Sequence, residues 1–356
     1  MAFKAAYRPW GLFLLFAIGV LAWTFLFPAL NWPDEIYKVS RVGIDENIYL
    51  DLLSRATTNY CIVSYVNGSD MSYLSNVFHA RMTGGYECYY DMKLVNAAMI
   101  LISALLGVFL LKDSNYKNLY LMSLIWPANL FYMTGINQQA LFCTLSVLVM
   151  VGALASKRIW PYTIASIALV LIDRSFVSLT IYLGCLMGFR WRPQIALGMM
   201  IVLLVVAIVI RPYVEASNIF VGGDSTIGDI SQSLTDYYDN PIVSLGLLFV
   251  SFVYLGGTNA ILGIGVDYLL VILVGGKWLW KERMNEDMKS YLYAFIFTYF
   301  LVISFVPTIQ TFRYYVFLLP ILIKYLCNSR DNQNKYCFYA IVMNVVYLVQ
   351  ATIIYG

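Results

Sequence analysis

Charged residues are scarce in this chain, since Asp, Glu, Lys and Arg together make up only 12% of its 356 residues. Ordinary soluble domains carry about twice that fraction of charge and are less apolar. Here 61% of the residues are hydrophobic. The composition therefore argues against a soluble globular domain and predicts an all-α fold class, a polytopic bundle of transmembrane helices.

Histidine is nearly absent as well, and the cysteines are not clustered. His79 is the only histidine, and the six cysteines are scattered, so no spacing typical of a zinc site occurs. Cys61 and Cys88 lie in a segment that we predict to face an oxidising compartment, which makes them candidates for a disulfide. The other cysteines are predicted to be buried and inert.

Apolar stretches of about 17–22 residues recur from end to end, each long enough to cross about 30 Å of hydrocarbon. They predict about eleven spans in a single integral membrane domain over residues 1–356, with outer loops at 31–91 and 212–241. Among these spans are stretches at about Leu119–Thr134, Gln139–Ala155 and Ile195–Arg211. The first span, Gly11–Leu30, lacks a small-residue cleavage site and is interpreted as retained. Within the first outer loop, Asp45–Thr57 has the apolar spacing of a helix lying on the membrane surface.

Two regions depart from simple crossings. Pro161–Phe189 is interrupted by Asp173-Arg174, which leaves arms too short for a full crossing unless the membrane thins there or the pair is re-entrant. Such a break is tolerated only where the backbone faces protein or water. Further on, Ile242–Gly257 is interpreted as half-inserted and Thr258–Gly276 as a true span, because the basic run at Lys277 requires an odd number of crossings.

The basic residues fix the predicted orientation. The candidate inner loops hold about 15 Lys or Arg against about five acids, and the rest of the chain about eight against about 15. Positive loops stay in the cytoplasm, so the N-terminus is predicted inside and the long acidic loops outside. The inner loops are the N-terminus, Lys112–Asn118, Ser156–Tyr162, Arg190–Gln194, Lys277–Ser290 and Lys324–Lys335.

An acidic pair, Asp34-Glu35, follows the first span on the predicted outer side. A carboxylate there can deprotonate a hydroxyl, or hold a divalent cation (Mg²⁺ or Mn²⁺) beside a phosphate. Pro33-Asp34-Glu35 is also a good helix start, so both roles stay open at this point.

Three other polar groups are predicted on the outer side. Arg313 and Tyr314 can bind a lipid phosphate, with Arg174 as a further cation, although an arginine there can also reach lipid headgroups. Amides and a carboxylate can bind sugar hydroxyls, while helix capping also explains the asparagine. The candidate substrate ligands are Asn137, Gln138, Asp173 and Gln310.

This layout resembles the GT-C class of membrane glycosyltransferases, which use polyprenyl-phosphate-linked sugars. The resemblance lies in Pro33-Asp34-Glu35 after span one, Asn137-Gln138-Gln139 opening a later span, and Arg313-Tyr314-Tyr315 with Pro320 before the last spans. It implies that Asp34, or Glu35 as second choice, is the catalytic base or metal-associated residue. It also implies that Arg313 contacts the lipid phosphate.

Two alternatives stay open. The O-antigen or capsule polymerases are also similar, and for them the candidates are the outer-loop residues Arg41, Arg55, Arg81, Arg211 and Glu215. A lipid-linked sugar flippase would use Asp173, Arg174 and Asp267 as a polar pathway, but the chain lacks the internal repeat of many transporters.

We therefore expect a glycosyltransferase in a bacterial plasma (inner) membrane, with its long loops in the periplasm. Its expected partners are the lipid bilayer, a polyprenyl-phosphate-linked sugar or oligosaccharide, and a glycan acceptor. No nucleic-acid partner is expected.

Overall fold

Every element that the structure describes is helical. The structure, a computed structural model, describes residues 4, 6–26, 89–134, 139–156, 158–170, 175–216, 286–305, 312–327 and 329–355. The helices are α1 (Pro9–Leu26), α2 (Tyr89–Leu110), α3 (Ser114–Leu124), α4 (Pro127–Thr134), α5 (Gln139–Ala155), α6 (Trp160–Val170), α7 (Phe176–Trp191), α8 (Pro193–Ala216), α9 (Glu286–Phe305), α10 (Leu319–Leu326) and α11 (Arg330–Tyr355), with a 3₁₀ helix at Phe312–Leu318 before α10.

The helices predicted from hydrophobic periodicity are largely present. Gln139–Ala155 is helical as α5 over the predicted residues, and the two short arms of Pro161–Phe189 are α6 and α7. The span predicted at Ile195–Arg211 is helical as α8, which continues to Ala216, five residues beyond the predicted end. Outside the described residues lie Asp45–Thr57, Ile242–Gly257 and Thr258–Gly276.

The segments predicted as inner loops meet at one end of the bundle, which we call the basic end. Tyr116 Oη at the start of α3 donates to Leu154 O at the end of α5 (3.3 Å). Trp10 of α1 and Phe109 of α2 form an edge-on ring pair at 6.0 Å, and Tyr291 of α9 and Tyr325 of α10 another at 6.5 Å. The basic side chains that the structure describes all belong to these helix ends: Lys4, Arg8, Lys112, Lys117, Arg158, Arg190, Arg192, Lys289, Lys324, Arg330 and Lys335.

At the basic end, Gln333 near the start of α11 forms hydrogen bonds with the N-terminal segment. Its amide nitrogen donates to Lys4 O (2.6 Å) and Cys327 O (3.1 Å), and its amide oxygen accepts from Ala6 N (2.9 Å). Asn118 Nδ2 of α3 donates to Tyr7 O (2.6 Å), which brings a third helix into the same network. Gln333 is fully buried, so each bond replaces one that water would otherwise supply.

Burial also sets the acid–base properties of this network. It raises the pKa of the Cys327 thiol to about 12, and the nearby Cys337 adds to the shift. Burial, followed by Cys337, also raises the pKa of the Tyr7 phenol. A thiol with so high a pKa stays protonated and unreactive at neutral pH. The described cysteines, Cys143, Cys185, Cys327 and Cys337, are buried and free, which confirms the prediction that they are buried.

The prediction of a single helix at Leu119–Thr134 is wrong in one respect. The helix is broken at Ile125-Trp126, between α3 and α4. Pro127 causes the break, since proline has no N–H and its ring clashes with the carbonyl four residues earlier. That carbonyl, Ser123 O, accepts instead from Asn129 Nδ2 (2.8 Å).

Helix α11 supplies donors to two more carbonyls at this break. Tyr336 Oη donates to Met122 O (2.7 Å), and Asn344 Nδ2 donates to Ile125 O (3.3 Å). Asn344 Oδ1 accepts in turn from Trp23 Nε1 of α1 (2.8 Å). Buried backbone carbonyls need partners. The break is therefore a packed joint between α1, α3 and α11.

Helix α5 is the centre of the bundle, packed against α2, α3, α4, α6, the 3₁₀ helix and α10. Polar side chains are buried around it, and Ser103 Oγ of α2 bonds to Thr144 Oγ1 of α5 (2.9 Å). Large apolar side chains are instead exposed on the outer helices, among them Ile102, Phe109, Met199, Val202 and Val345. The core itself is apolar, so the unusual feature is the number of large apolar side chains that are exposed.

Among the described helices, only α1 is long and apolar enough to cross a membrane by length and composition. A helix of that kind near an N-terminus can also be a signal sequence or the core helix of a soluble protein. The fold that the structure establishes is thus an all-helical bundle in the described part of the chain.

Candidate functional site

Most of the predicted site residues lie outside the described residues. Arg313 and Tyr314 are the exception, because their backbone forms the start of the 3₁₀ helix, although their side chains are not described. Those outside are Asp34, Glu35, Asn137, Gln138, Asp173, Arg174 and Gln310, with the disulfide candidates Cys61 and Cys88.

The described residues that flank two of these segments are in contact. Phe142 lies one turn after Gln138, and Phe176 lies two residues after Arg174. Their rings meet edge-on with centroids 5.0 Å apart, and both side chains are fully buried. The beginnings of α5 and α7 are therefore held side by side, although about 35 residues separate them in the chain.

The 3₁₀ helix brings a third predicted segment to the same region. It packs against α4, α5 and α7, so the backbone of Arg313 and Tyr314 belongs to the element that neighbours both flanks. Phe317 contacts Tyr182 of α7, with ring centroids 5.2 Å apart. Three of the four predicted site segments are thus attached to helix ends that pack together.

Along the bundle axis, these helix ends lie further into the bundle than the start of α2 at Tyr89. Ser103, fourteen residues into α2, bonds to Thr144, only five residues into α5. At 1.5 Å per residue, α5 therefore begins about 13 Å further in than α2 along the bundle axis. Asn96 Nδ2 of α2 likewise bonds to Met133 O in the last turn of α4 (2.9 Å), so α4 ends about 10 Å below the start of α2.

Helix lengths agree with this offset. Helices α2, α8 and α11 are long, at about 33, 36 and 39 Å, whereas the described lengths of α5, α6 and α7 are about 26, 17 and 24 Å. Because all of them meet at the basic end, the described parts of α5, α6 and α7 do not extend as far as α2 at the opposite end, where residues 135–138 and 171–174 lie outside the described residues. That end, which we call the recessed end, carries the described flanks of three predicted site segments.

Tyr315 is a residue that sequence reasoning did not assign to the site. Its ring packs against Phe295, Tyr299 and Phe317, and its side chain is fully buried. Its hydroxyl has no hydrogen-bond partner in the described part of the chain. Leaving a buried hydroxyl unpaired costs about 1–3 kcal/mol.

Other buried polar atoms share that property, namely Asn118 Oδ1, Tyr120 Oη and Ser146 Oγ. Tyr315 differs from them in position, because it directly follows the predicted phosphate ligands Arg313 and Tyr314. Its place in the Arg-Tyr-Tyr sequence was the available signal. Tyrosine is abundant, at 29 residues, and membrane interfaces explain many of them, so residue type alone did not single out Tyr315.

The structure says little about the alternative site residues. Arg211 and Glu215, predicted for a second outer loop, belong instead to the last turns of α8, and their side chains are not described. Arg41, Arg55, Arg81, His79 and Asp267 lie outside the described residues. Within the described ranges, no group of three His, Cys, Asp or Glu side chains could hold a metal ion. Asp34 and Glu35, the acids proposed to hold a cation, lie outside those ranges.

Comparison with known proteins adds no relative. No family model, no curated protein and no solved structure matches this chain.

Proposed function

We propose that the protein is a polytopic membrane glycosyltransferase that transfers a sugar from a polyprenyl-phosphate-linked donor at the recessed end. The observation that carries this proposal is the offset of about 13 Å between the starts of α2 and α5. It is supported by the contact between Phe142 and Phe176 and by the packing of the 3₁₀ helix on α5 and α7.

In this proposal the bundle is embedded in a bilayer. Exposed apolar side chains on α2, α8 and α11 would form an aggregation-prone surface in water, whereas lipid covers them at no cost. Buried polar contacts between helices, such as Ser103 to Thr144, are the kind that join helices in membranes.

The basic end then faces the cytoplasm of a bacterial plasma membrane, and the recessed end faces the periplasm. Both α8 and α9 begin at the basic end, so an odd number of crossings separates them if α8 spans the bilayer. One crossing completes about eleven spans.

The proposed recess explains how the charged pair Asp173-Arg174 is tolerated below the membrane surface. Charged residues below the level of a membrane surface are tolerated where they line a water-filled cavity. Phe176 places the beginning of α7 level with Phe142 of α5, well inside the thickness that α2 spans. A recess that admits water and the headgroup of a lipid-linked sugar accommodates both charges.

The proposed chemistry assigns one role to each group. Asp34, with Glu35 as second choice, deprotonates the acceptor hydroxyl. Arg313 and Arg174, together with the Tyr315 hydroxyl, bind the departing lipid phosphate, and bidentate arginine contacts suit that group. Asn137, Gln138, Asp173 and Gln310 bind sugar hydroxyls. A divalent cation, Mg²⁺ or Mn²⁺, would be held by Asp34 or Glu35 beside the phosphate.

Transfer from a panel of undecaprenyl-phosphate monosaccharides by the purified protein tests the proposal. We expect Asp34→Asn to lower the rate by about 10²–10⁴, because general-base catalysis contributes that much. Asp331→Asn is the matched control, since Asp331 is an acid at the basic end that pairs with Lys335 (2.6 Å). Near-full transfer by Asp34→Asn would refute its catalytic role, and a severe loss only in Glu35→Gln would move the role to Glu35.

A deletion strain separates the alternatives. A surface polysaccharide of unchanged length that lacks one sugar supports the transferase. Collapse to single repeat units identifies a polymerase, and precursor trapped on the cytoplasmic side identifies a flippase.

A further inference from the structure

The turn between α7 and α8 holds two arginines in fixed positions. A single residue, Arg192, separates the two helices, and its N–H donates to Gly188 O (2.9 Å) while its carbonyl accepts from Ala196 N (2.9 Å). A Cβ added to Gly188 would lie 3.3 Å from Ala196 Cβ, so the two helices are closely packed at this point. The turn is therefore rigid.

Both guanidinium groups rest on aromatic rings. Arg190 Nη2 donates to Tyr291 Oη of α9 (2.6 Å), and its Cζ lies 5.2 Å from the centre of that ring. Arg192 Cζ lies 5.6 Å from the ring of Trp191. These contacts fix the planes of the guanidinium groups and reduce the entropy lost when they bind a ligand.

The two helices that form the turn carry no acid near it, whereas the neighbouring α9 begins with Glu286-Asp287, whose side chains are not described. No acidic residue occurs between Phe176 and Val214, which includes all of α7 and most of α8. The contact with Tyr291 uses one of the five N–H donors of Arg190. Guanidinium donors match the geometry of phosphate oxygens better than lysine does.

An apolar surface adjoins the arginines. Trp191 is 80% exposed, and Met187, Ile195 and Met199 are exposed on the same two helices. A soluble anion would contact only the arginines, whereas a lipid can contact the arginines with its headgroup and the apolar surface with its acyl chains. Basic sites between helices on the cytoplasmic side of a membrane bind anionic lipid headgroups in this way.

We propose that Arg190, Trp191, Arg192 and Tyr291 form a binding site for the phosphate headgroup of an anionic phospholipid in the inner leaflet. The headgroup lies between the two arginines, and its acyl chains follow the exposed face of α7 and α8. The inference rests on the proposed membrane embedding and is independent of glycosyl transfer.

Native mass spectrometry of the purified full chain, titrated with phosphatidylglycerol or phosphatidylcholine in detergent, tests this site. We expect preferential binding of phosphatidylglycerol, weakened about fivefold by Arg192→Gln and further in the double variant with Arg190→Gln. Arg192→Gln is the safer variant, because the contact of its side chain is with an exposed ring. Arg158→Gln, an exposed arginine elsewhere at the basic end, is the matched control and should bind as the wild type does.

Two results would overturn the inference. Equal weakening by Arg158→Gln would mean that the charge of the whole end, rather than this turn, attracts the lipid. Full displacement of phosphatidylglycerol by inorganic phosphate at equal concentration would mean a site for soluble anions. Neither readout uses a sugar donor, so failure here is distinguishable from failure of the proposed transferase.

Discussion

The two ends of this bundle finish in opposite ways. At the basic end, side chains such as Gln333 and Asn118 satisfy the backbone groups of neighbouring segments, and helices of different length all arrive together. At the recessed end, the described part of α5 begins about 13 Å further in than the start of α2. The buried hydroxyl of Tyr315 has no partner among the described residues. Buried polar atoms without a described partner occur near both ends, since Asn118 Oδ1 and Tyr120 Oη lie toward the basic end. The two ends therefore differ in how the helices finish and in the hydrogen bonds between distant segments, which are concentrated at the basic end.

The largest expected loss of stability is at the basic end, in Gln333→Leu. This change keeps the approximate size of the side chain but leaves Lys4 O, Cys327 O and Ala6 N without their partner. At about 1 kcal/mol for each bond, we expect about 3 kcal/mol of destabilisation, measured by thermal denaturation in detergent. Asn334→Leu removes one exposed bond to Tyr7 (2.5 Å) and should cost much less. Equal losses in both variants would contradict the special role of Gln333.

A smaller loss is expected for Gly107→Ala, where α2 and α3 approach closely near the basic end. The added Cβ would lie 2.6 Å from Tyr120 Cε1, and Tyr120 is fully buried, so its ring cannot move aside freely. Overpacking of this kind costs about 1–3 kcal/mol.

Gly184→Ala in α7 is the control for that substitution, since nothing lies within 4 Å of the added atom. We expect Gly184→Ala to be neutral or slightly stabilising, because alanine is the better helix former. A tolerated Gly107→Ala in the same melting assay would show that α2 and α3 are less tightly packed than described.

The smallest effect should have the opposite sign, at the recessed end. Tyr315→Phe removes a hydroxyl that has no described partner, so we expect a gain of up to about 1 kcal/mol in stability. The same substitution at Tyr182 removes a hydroxyl that donates to Tyr291 O (3.4 Å) and should instead destabilise by about 1 kcal/mol.

Kinetics then separate a ligand role for Tyr315 from a structural one. If its hydroxyl binds the lipid phosphate, Tyr315→Phe raises the KM for the donor while Tyr182→Phe does not. A destabilised Tyr315→Phe with unchanged KM would remove Tyr315 from the site and weaken the contrast between the two ends.

The sequence predicted individual helices better than their arrangement. The span predicted at about Gln139–Ala155 is helical over those residues, because it is an uninterrupted apolar run between polar neighbours. The break before Pro127 was missed, since the surrounding run is apolar enough to read as one span. Whether the exposed carbonyls there are satisfied depends on Tyr336 and Asn344, more than 200 residues away in the chain.

The candidate site divides in the same way. Residue types suited to phosphate and sugar binding were found at Asn137, Asp173 and Arg313 from their chemistry and from the predicted topology. Their flanking helices are brought together only by contacts such as Phe142 to Phe176. Local periodicity contains no information on how far one helix is displaced along another, so the recess could not be predicted.

By itself, the sequence determined that this protein is helical, apolar and charged asymmetrically, because those properties follow from which residues are present and at what spacing. The tertiary structure alone decided that the basic segments share one end and that α5 begins about 13 Å inside α2. The physical reason is that a hydrogen bond such as Ser103 to Thr144 joins residues 41 positions apart and fixes the level of each helix, which no local preference can do.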